Sequence, residues 1–170
     1  MDHARPSLPR MDGGRVFVSI PESLVAQLRS IGRQEGATAA MTTLAAFTLL
    51  QSRITGQNDT VVGLSLAGRT QADVESLIGL FSCVLPFRVF VDRGMSFRDL
   101  LRSVRTRSLE AQQHQNVSVS ALLEAIPSTR ISQHAEIAQT LFNFRNMTWS
   151  PERDSSMSAA PSSTPGIRWE

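Results

Sequence analysis

The sequence contains no lysine, and all seventeen of its basic residues are arginine. A side-chain amine is required for Schiff-base chemistry, for a lysine nucleophile and for the phosphate contact of a P-loop, so these mechanisms are excluded. The formal net charge is only +2. The basic isoelectric point therefore reflects the high pKa of arginine more than an excess of positive charge, and we expect no nucleic-acid binding.

Cysteine is almost absent, since Cys83 is the only one. It has no partner for an internal disulfide and no neighbouring cysteines for a metal cluster, so we expect a reducing, cytoplasmic setting and no metal site. The sequence also lacks a run of about 20 apolar residues, the length needed to cross a bilayer. We expect no membrane segment.

Hydrophobic periodicity predicts a mixture of strands and helices in one domain, or in one lobe of a domain. Alternating apolar residues predict strands over residues 15–20, 59–66, 82–91 and 139–146. Helical spacing predicts helices over residues 21–35, 38–55, 72–77, 95–113 and 118–125. The predicted fold class is α/β, a two-layer sandwich in which helices cover mainly one face of a mixed β-sheet.

The two ends of the chain have a different composition from the middle. Residues 1–14 are polar and proline-containing, and we expect a flexible leader there. Residues 150–166 are rich in serine, proline and alanine, so they bury too little apolar surface to offset the cost of ordering, and we expect a mobile loop. Residues 167–170 regain apolar character and are interpreted as the start of a truncated strand.

The most specific motif spans the second and third predicted strands and the segment that joins them. VVGLSLAGRT occupies residues 61–70 and ends in a Gly-Arg turn, and IGLFSCV at residues 78–84 runs directly into LPFRV at residues 85–89. This pattern resembles the condensation domains of nonribosomal peptide synthetases, whose fold is similar to that of chloramphenicol acetyltransferase. The resemblance identifies residues 15–149 as part of the C-terminal lobe of such a domain.

The sequence departs from the family pattern at several positions. The family motif approximates I-G-x-F-V-N-T, and Cys83 and Val84 replace its Asn-Thr pair. The family's H-Q-D-x-P-F-E motif is reduced to His-Gln-Asn at residues 114–116. The family's catalytic H-H-x-x-x-D-G motif is absent, because none of His3, His114 and His134 has a histidine neighbour. We therefore predict no catalytic residue, and leave open whether the chain takes part in an enzyme.

The resemblance implies a function that needs other components. In the family, a tunnel between two lobes admits phosphopantetheine arms presented by carrier proteins. An amide bond forms there between an acyl or peptidyl thioester and an aminoacyl thioester. The expected partners are carrier proteins and the missing N-terminal lobe, and the chain is expected to bind no cofactor directly and to be inactive alone.

The resemblance also suggests which residues line the tunnel: Ser65, Arg69, Ser82 and Cys83. Two of them have a structural alternative. Arg69 can instead anchor the Gly-Arg turn beside Asp73 or Glu75. Cys83, in an apolar strand, can be an inert small hydrophobic residue.

A stripe of arginines, Arg98, Arg102 and Arg105, is predicted on the outer side of the helix over residues 95–113. It is either a solvated face or a docking site for an acidic, phosphate-bearing carrier protein, because the guanidinium group matches phosphate geometry. Two other functions remain open for the whole chain. One is a non-catalytic remnant or carrier-protein interaction module, and the other is a fragment of an acyl-CoA-dependent acyltransferase.

Overall fold

The computed structural model of the chain describes residues 13–69, 72–117, 119–125 and 138–145. The chain separates into two compact units. Leu28–Phe144 forms one, and the described residues 13–27 and 145 belong to the other. The segments interpreted as a mobile loop and a truncated strand, and most of the expected leader, lie outside the described residues.

Five helices and three strands are present in the described part of the chain. The helices are α1 (Glu22–Gln34), α2 (Ala39–Thr55), α3 (Ala72–Glu75), α4 (Phe97–Gln113) and α5 (Val119–Ala125). The strands are β1 (Asp59–Leu66), β2 (Cys83–Phe90) and β3 (Leu141–Phe142). All five predicted helices are confirmed, and α2 and α4 each begin at a capping side chain.

Helix α2 illustrates these capping signals. The Thr38 side chain accepts a hydrogen bond from the backbone N–H of Met41, and Gly56 ends the helix in the left-handed conformation with φ +71°. Inside the helix, the hydroxyls of Thr42 and Thr48 donate to the backbone carbonyls of Thr38 and Ala45. Because these bonds are local, the two hydroxyls are buried without partners from another element, as the sequence predicts.

The strands form a mixed sheet in the order β2-β1-β3. Strands β1 and β2 are antiparallel, with Asp59 opposite Phe90 at one end and Leu66 opposite Cys83 at the other. The short β3 runs parallel to β1. In the sheet formed by the described residues, β2 lies at an edge, the position expected for a strand that contains a proline, since proline cannot donate a ladder hydrogen bond.

Helices α2 and α4 pack on one face of this sheet and against each other. The core between the two layers consists of buried aliphatic and aromatic side chains: Met41, Leu44, Ala45, Val62, Leu64, Phe87, Val89, Val91, Leu100, Leu101 and Val104. Phe142 of β3 joins this core by packing against Phe47 of α2, with ring centroids 5.7 Å apart. The predicted two-layer α/β class is confirmed.

The second face of the sheet is more open. Residues that alternate with the core positions point to this side, because successive side chains of a strand point to opposite faces. Val84 and Phe90 of β2 are 41% and 53% exposed, and Leu141 of β3 is 57% exposed. In the described part of the chain, the helices therefore cover mainly one face, as predicted.

Two strand predictions need correction. The strand over residues 15–20 is wrong: this segment is irregular, and Val16 and Val18 are 89% and 58% exposed. Alternation alone does not form a strand, because a strand also needs a partner edge and a surface to cover. The strand over residues 139–146 shortens to Leu141–Phe142, because residues 139–140 and 143–145 lie outside it; residue 146 is not described.

Candidate functional site

The Gly-Arg turn and the I-G-L-F motif form one structural unit. Gly68 follows β1 with φ +67°, a left-handed conformation that favours glycine. A Cβ atom at this position would lie 1.7 Å from the carbonyl oxygen of Phe81. The turn therefore packs directly against the backbone that leads into β2. This contact brings together the two ends of the loop over residues 67–82.

Arg69 makes two contacts with other residues of the same loop. Its guanidinium donates a hydrogen bond to the backbone carbonyl of Val74, at the end of the short helix α3. The guanidinium carbon also lies 4.5 Å from the centre of the Phe81 ring, which is the geometry of a cation–π contact. The structure thus gives Arg69 an anchoring role in the turn. The anchor is the backbone carbonyl of Val74, which lies between Asp73 and Glu75 in the sequence.

The register of β1 and β2 separates two of the predicted tunnel residues. Ser65 is opposite Val84, on the open face, whereas Cys83 is opposite Leu66, on the face toward the helices. The Cys83 thiol is half-buried, and its Sγ lies 4.0 Å from the carbonyl oxygen of Gln115, just beyond α4. This environment matches a packed apolar cysteine.

All four predicted tunnel residues nevertheless lie near one end of the sheet. Ser65 is at the carboxyl end of β1, Cys83 begins β2, and these two ends are adjacent in the antiparallel pair. Ser82 precedes β2 and is exposed. Arg69 lies in the loop that joins the two strands. The structure therefore brings Ser65, Arg69, Ser82 and Cys83 to one rim, although not to one face.

The predicted arginine stripe makes specific contacts with the carboxyl end of α1. Arg98 and Arg102 both pair with Glu35, at N···O distances of 2.6 and 2.7 Å. Arg105 donates to the backbone carbonyl of Gly36 at 2.9 Å. The Glu35 side chain is only 9% exposed, whereas those of Arg98 and Arg102 are 46% and 57% exposed. The stripe therefore joins α4 to the α1–α2 connection and still presents part of its surface to solvent.

Hydrogen bonds and charges within this cluster lower the pKa values of its carboxyl groups, Glu35 and Asp99. Hydrogen bonds from Arg98, and then from Arg102, lower the pKa of Glu35 because they stabilise its ionised form. The pKa of Asp99 is also lowered, chiefly by the hydroxyl of Ser96, which donates a hydrogen bond to it at 2.5 Å. Glu35 therefore keeps its negative charge to a lower pH than an unpaired glutamate does.

Sequence reasoning missed Glu35 and Phe81. Glu35 is the last residue of the helix predicted over residues 21–35, and an acidic residue at a helix end is an available signal for a contact with the predicted arginine stripe. Phe81 is the aromatic residue of the I-G-L-F motif, and an aromatic ring near a Gly-Arg turn suggests cation–π stacking.

His114 is the histidine that the structure describes. It is exposed and caps α4, with its backbone N–H donating to the carbonyl of Ala111 at 3.1 Å. Within the described ranges, no three histidine, cysteine, aspartate or glutamate residues gather as they would around a metal ion. No helix among the described residues is long and apolar enough to cross a membrane.

Comparison with known proteins identifies the family. The sequence model of the condensation domain matches residues 1–169. One of the proteins that make up the linear gramicidin synthase of Brevibacillus parabrevis is 38% identical over 146 residues, which cover 86% of this chain and 3% of that protein. The chain thus spans a small part of the curated relatives that it matches.

Solved structures agree with this match. The condensation domain from the Monacolin K polyketide synthase MokA superposes with a TM-score of 0.61 and 26% identity, over 74% of this chain and 27% of that one. A holo four-domain nonribosomal peptide synthetase superposes on 97% of this chain and 12% of its own, with a TM-score of 0.79; at 19% identity it supports the fold alone. The chain belongs to the condensation-domain family found in nonribosomal peptide synthetases.

Proposed function

We propose that the chain is part of a condensation domain of a nonribosomal peptide synthetase and forms one wall of the tunnel in which an amide bond is made. The two substrates are an acyl or peptidyl thioester and an aminoacyl thioester. Carrier proteins present both on phosphopantetheine arms. One observation supports this proposal above the others: the two most specific family motifs fold into one unit, in which Gly68 and Arg69 pack on Phe81.

The tunnel wall in this proposal is the rim formed by Ser65, Arg69, Ser82 and Cys83. Each of these side chains keeps part of its surface exposed. Ser65 faces the open side of the sheet, and Arg69 fixes the loop beside it. Cys83 contributes from the helix side of the same strand end, as a small apolar residue.

The proposed chemistry depends on a histidine supplied by the rest of the domain. The sequence contains no H-H-x-x-x-D-G motif. A general base must lie within hydrogen-bond reach of the proton that it removes, and the family places this histidine in the other lobe. We therefore propose that the chain is inactive alone and becomes active when joined to a histidine-bearing lobe.

A condensation assay with loaded donor and acceptor carrier proteins tests this function. The chain is assayed alone and fused behind the first lobe of the matching condensation domain of linear gramicidin synthase. We expect amide product only from the fusion, and none when the second histidine of the motif in the first lobe is replaced by alanine. A folded fusion that makes no product refutes the function. Product from the chain alone refutes the need for a second lobe.

The arginine cluster supports a second candidate function, a docking site for an acidic carrier protein. Arg98, Arg102 and Arg105 are neutralised only in part, because Glu35 and Asp99 supply two negative charges against three positive ones. Complementary charge at an exposed surface raises the rate of encounter between proteins. The half-exposed guanidinium groups are therefore available to phosphate oxygens.

Two sets of substitutions distinguish docking from a purely structural role. Replacing the three arginines with glutamine removes the positive charges together with the contact to α1, whereas Glu35→Gln weakens the contact and keeps the arginines. If the cluster docks a carrier, the arginine variant binds it more weakly, in a salt-dependent way, and Glu35→Gln binds it at least as well as the native chain. Equal binding by all three proteins, measured by titration with a purified carrier, rejects docking.

A further inference from the structure

The open face of the sheet carries an aliphatic surface around Gly63. This glycine lies in the central strand β1 and is buried. A Cβ atom added to it would lie 2.9 Å from Cγ1 of Val84 in β2 and 3.3 Å from Cδ1 of Leu141 in β3. It would also lie 3.5 Å from Cβ of Ala138. Val84, Leu141 and Ala138 therefore meet above Gly63, and we call these three side chains the aliphatic floor.

The aliphatic floor is accessible and lies beside the proposed tunnel wall. Val84 and Leu141 are 41% and 57% exposed. Ser65 is directly opposite Val84 in the register of β1 and β2, on the same face of the sheet. A substrate held at the rim that includes Ser65 is therefore one strand pair away from the floor.

The charged groups on this face lie at the other end of the strands. In β1 and β2, the charged side chains that point to the open face are Asp59 and Arg88. They pair with each other, with an N···O distance of 2.6 Å. Asp59 and Ser65 are about 20 Å apart along an extended strand. Within the described residues of these two strands, the floor therefore has no nearby counter-ion for a charged substrate.

Val84 makes the floor more apolar than the family pattern does. The motif I-G-x-F-V-N-T has threonine at this position, and valine has nearly the same shape with a methyl group in place of the hydroxyl. An aliphatic group gains free energy when it is buried against such a surface. A hydroxyl buried there without a hydrogen-bond partner loses free energy. The substitution therefore favours one chemical class of substrate side chain over another.

We propose that the aliphatic floor selects a carrier-bound thioester with an uncharged, aliphatic side chain, and that Val84 is a specificity-determining residue of the domain. The side chain of the thioester packs on Val84 and Leu141, above Gly63. This inference rests on the proposed function, because it takes the carrier-bound thioesters of a condensation domain as the ligands.

Valyl and threonyl thioesters are matched probes for this selection, since they differ as Val84 differs from threonine. The chain fused behind the first lobe of the matching domain of linear gramicidin synthase receives both, loaded on carrier proteins in equal amounts. In one arm they compete as acceptors for a fixed donor, and in the other arm they compete as donors for a fixed acceptor. The two arms distinguish which thioester contacts the floor.

We expect at least about tenfold more valyl than threonyl product in one arm, and a ratio at least about fivefold smaller with Val84→Thr. The control is Val117→Thr, the same change at a valine that is 48% exposed and lies just beyond α4. It should keep the ratio of the native chain. A ratio near one in both arms overturns the proposal, and so does an equal fall in the ratio with Val84→Thr and Val117→Thr.

Nuclear magnetic resonance on the chain alone tests the floor without catalysis. The probes are the valyl and threonyl thioesters of N-acetylcysteamine, which reproduces the end of a phosphopantetheine arm. We expect the methyl resonances of Val84 and Leu141 to shift at lower concentrations of the valyl probe than of the threonyl probe. Val84→Thr should remove this difference in concentration.

Together, the two measurements separate this inference from the proposed function. Amide product from the fusion without a valyl preference supports the proposed function and overturns the selection by the floor. Valyl-selective shifts of the methyl resonances, with no product from a folded fusion, support the floor and refute the proposed function. Neither product nor selective shifts overturn both.

Discussion

Replacing Gly68 by alanine should destabilise the chain far more than the same substitution at Gly56. Both glycines have a positive φ, of 67° and 71°. An L-residue in this left-handed conformation costs about 1–2 kcal/mol of stability. Alanine also restricts the unfolded chain more than glycine does, which offsets a similar part of that cost at both sites. The backbone contribution to the loss of stability is therefore similar for the two substitutions.

The sites differ in the space available to a methyl group. At Gly56 nothing lies within 4 Å of an added Cβ atom, whereas at Gly68 it would lie 1.7 Å from the Phe81 carbonyl oxygen and 2.8 Å from its carbon. The obstacle is backbone, so it cannot rotate away as a side chain can. Forcing extra volume into a packed site costs about 1–3 kcal/mol, and we expect a difference of this size in the free energy of unfolding.

Urea unfolding of the native chain and both variants measures this difference, provided that the slope of the transition is the same in all three. A local shift of the loop would relieve part of the clash, and faster hydrogen exchange at residues 67–82 of the Gly68 variant would detect it. Equal midpoints for the two variants, with native exchange in the loop, would refute the proposed packing of the turn on Phe81.

Two further predictions concern the helices. Thr38→Ala removes the side-chain acceptor for the Met41 N–H and should lower the free energy of unfolding by about 1 kcal/mol. Thr43→Ala is the control and should change this free energy much less, because the Thr43 hydroxyl bonds to the Ala39 carbonyl within the same helix. Equal losses for the two variants in urea unfolding would contradict the capping role of Thr38. The lowered pKa of Glu35 means that its contact with Arg98 and Arg102 stabilises the folded chain above the unfolded-state pKa and is lost as pH falls through the folded-state pKa. Glu35→Gln should therefore be less stable than the native chain at neutral pH and should lose less stability on acidification, and parallel curves of unfolding free energy against pH would show that the ion pair contributes nothing.

Much of the helical structure could be predicted because its determinants are local. The periodicity over residues 95–113 predicts a helix, and α4 occupies Phe97–Gln113. An amphipathic pattern is read within a few turns, and a cap is read within four residues, so neither requires knowledge of distant parts of the chain. The strand over residues 15–20 was predicted from the same kind of local pattern and is absent, since a strand depends on a partner that local sequence does not specify.

The candidate site was predictable only in outline. The motifs placed Ser65, Arg69, Ser82 and Cys83 in neighbouring segments, and the structure gathers them at one end of the sheet. Their orientations could not be predicted, because a strand register that differs by one residue exchanges the two faces. The pairing of Leu66 with Cys83 is what turns the thiol toward the helices and leaves Ser65 on the open side.

The amino-acid sequence by itself determined the helices, the α/β class and the likeness to condensation domains, since these follow from local periodicity and from short motifs. Only the tertiary structure decided which charges and rings meet. Glu35 is far along the chain from Arg98 and Arg102, and Arg69 meets Phe81 across a loop. Such contacts depend on how the α1–α2 connection lies against α4 and how the loop over residues 67–82 closes, and these are properties of the whole packed lobe.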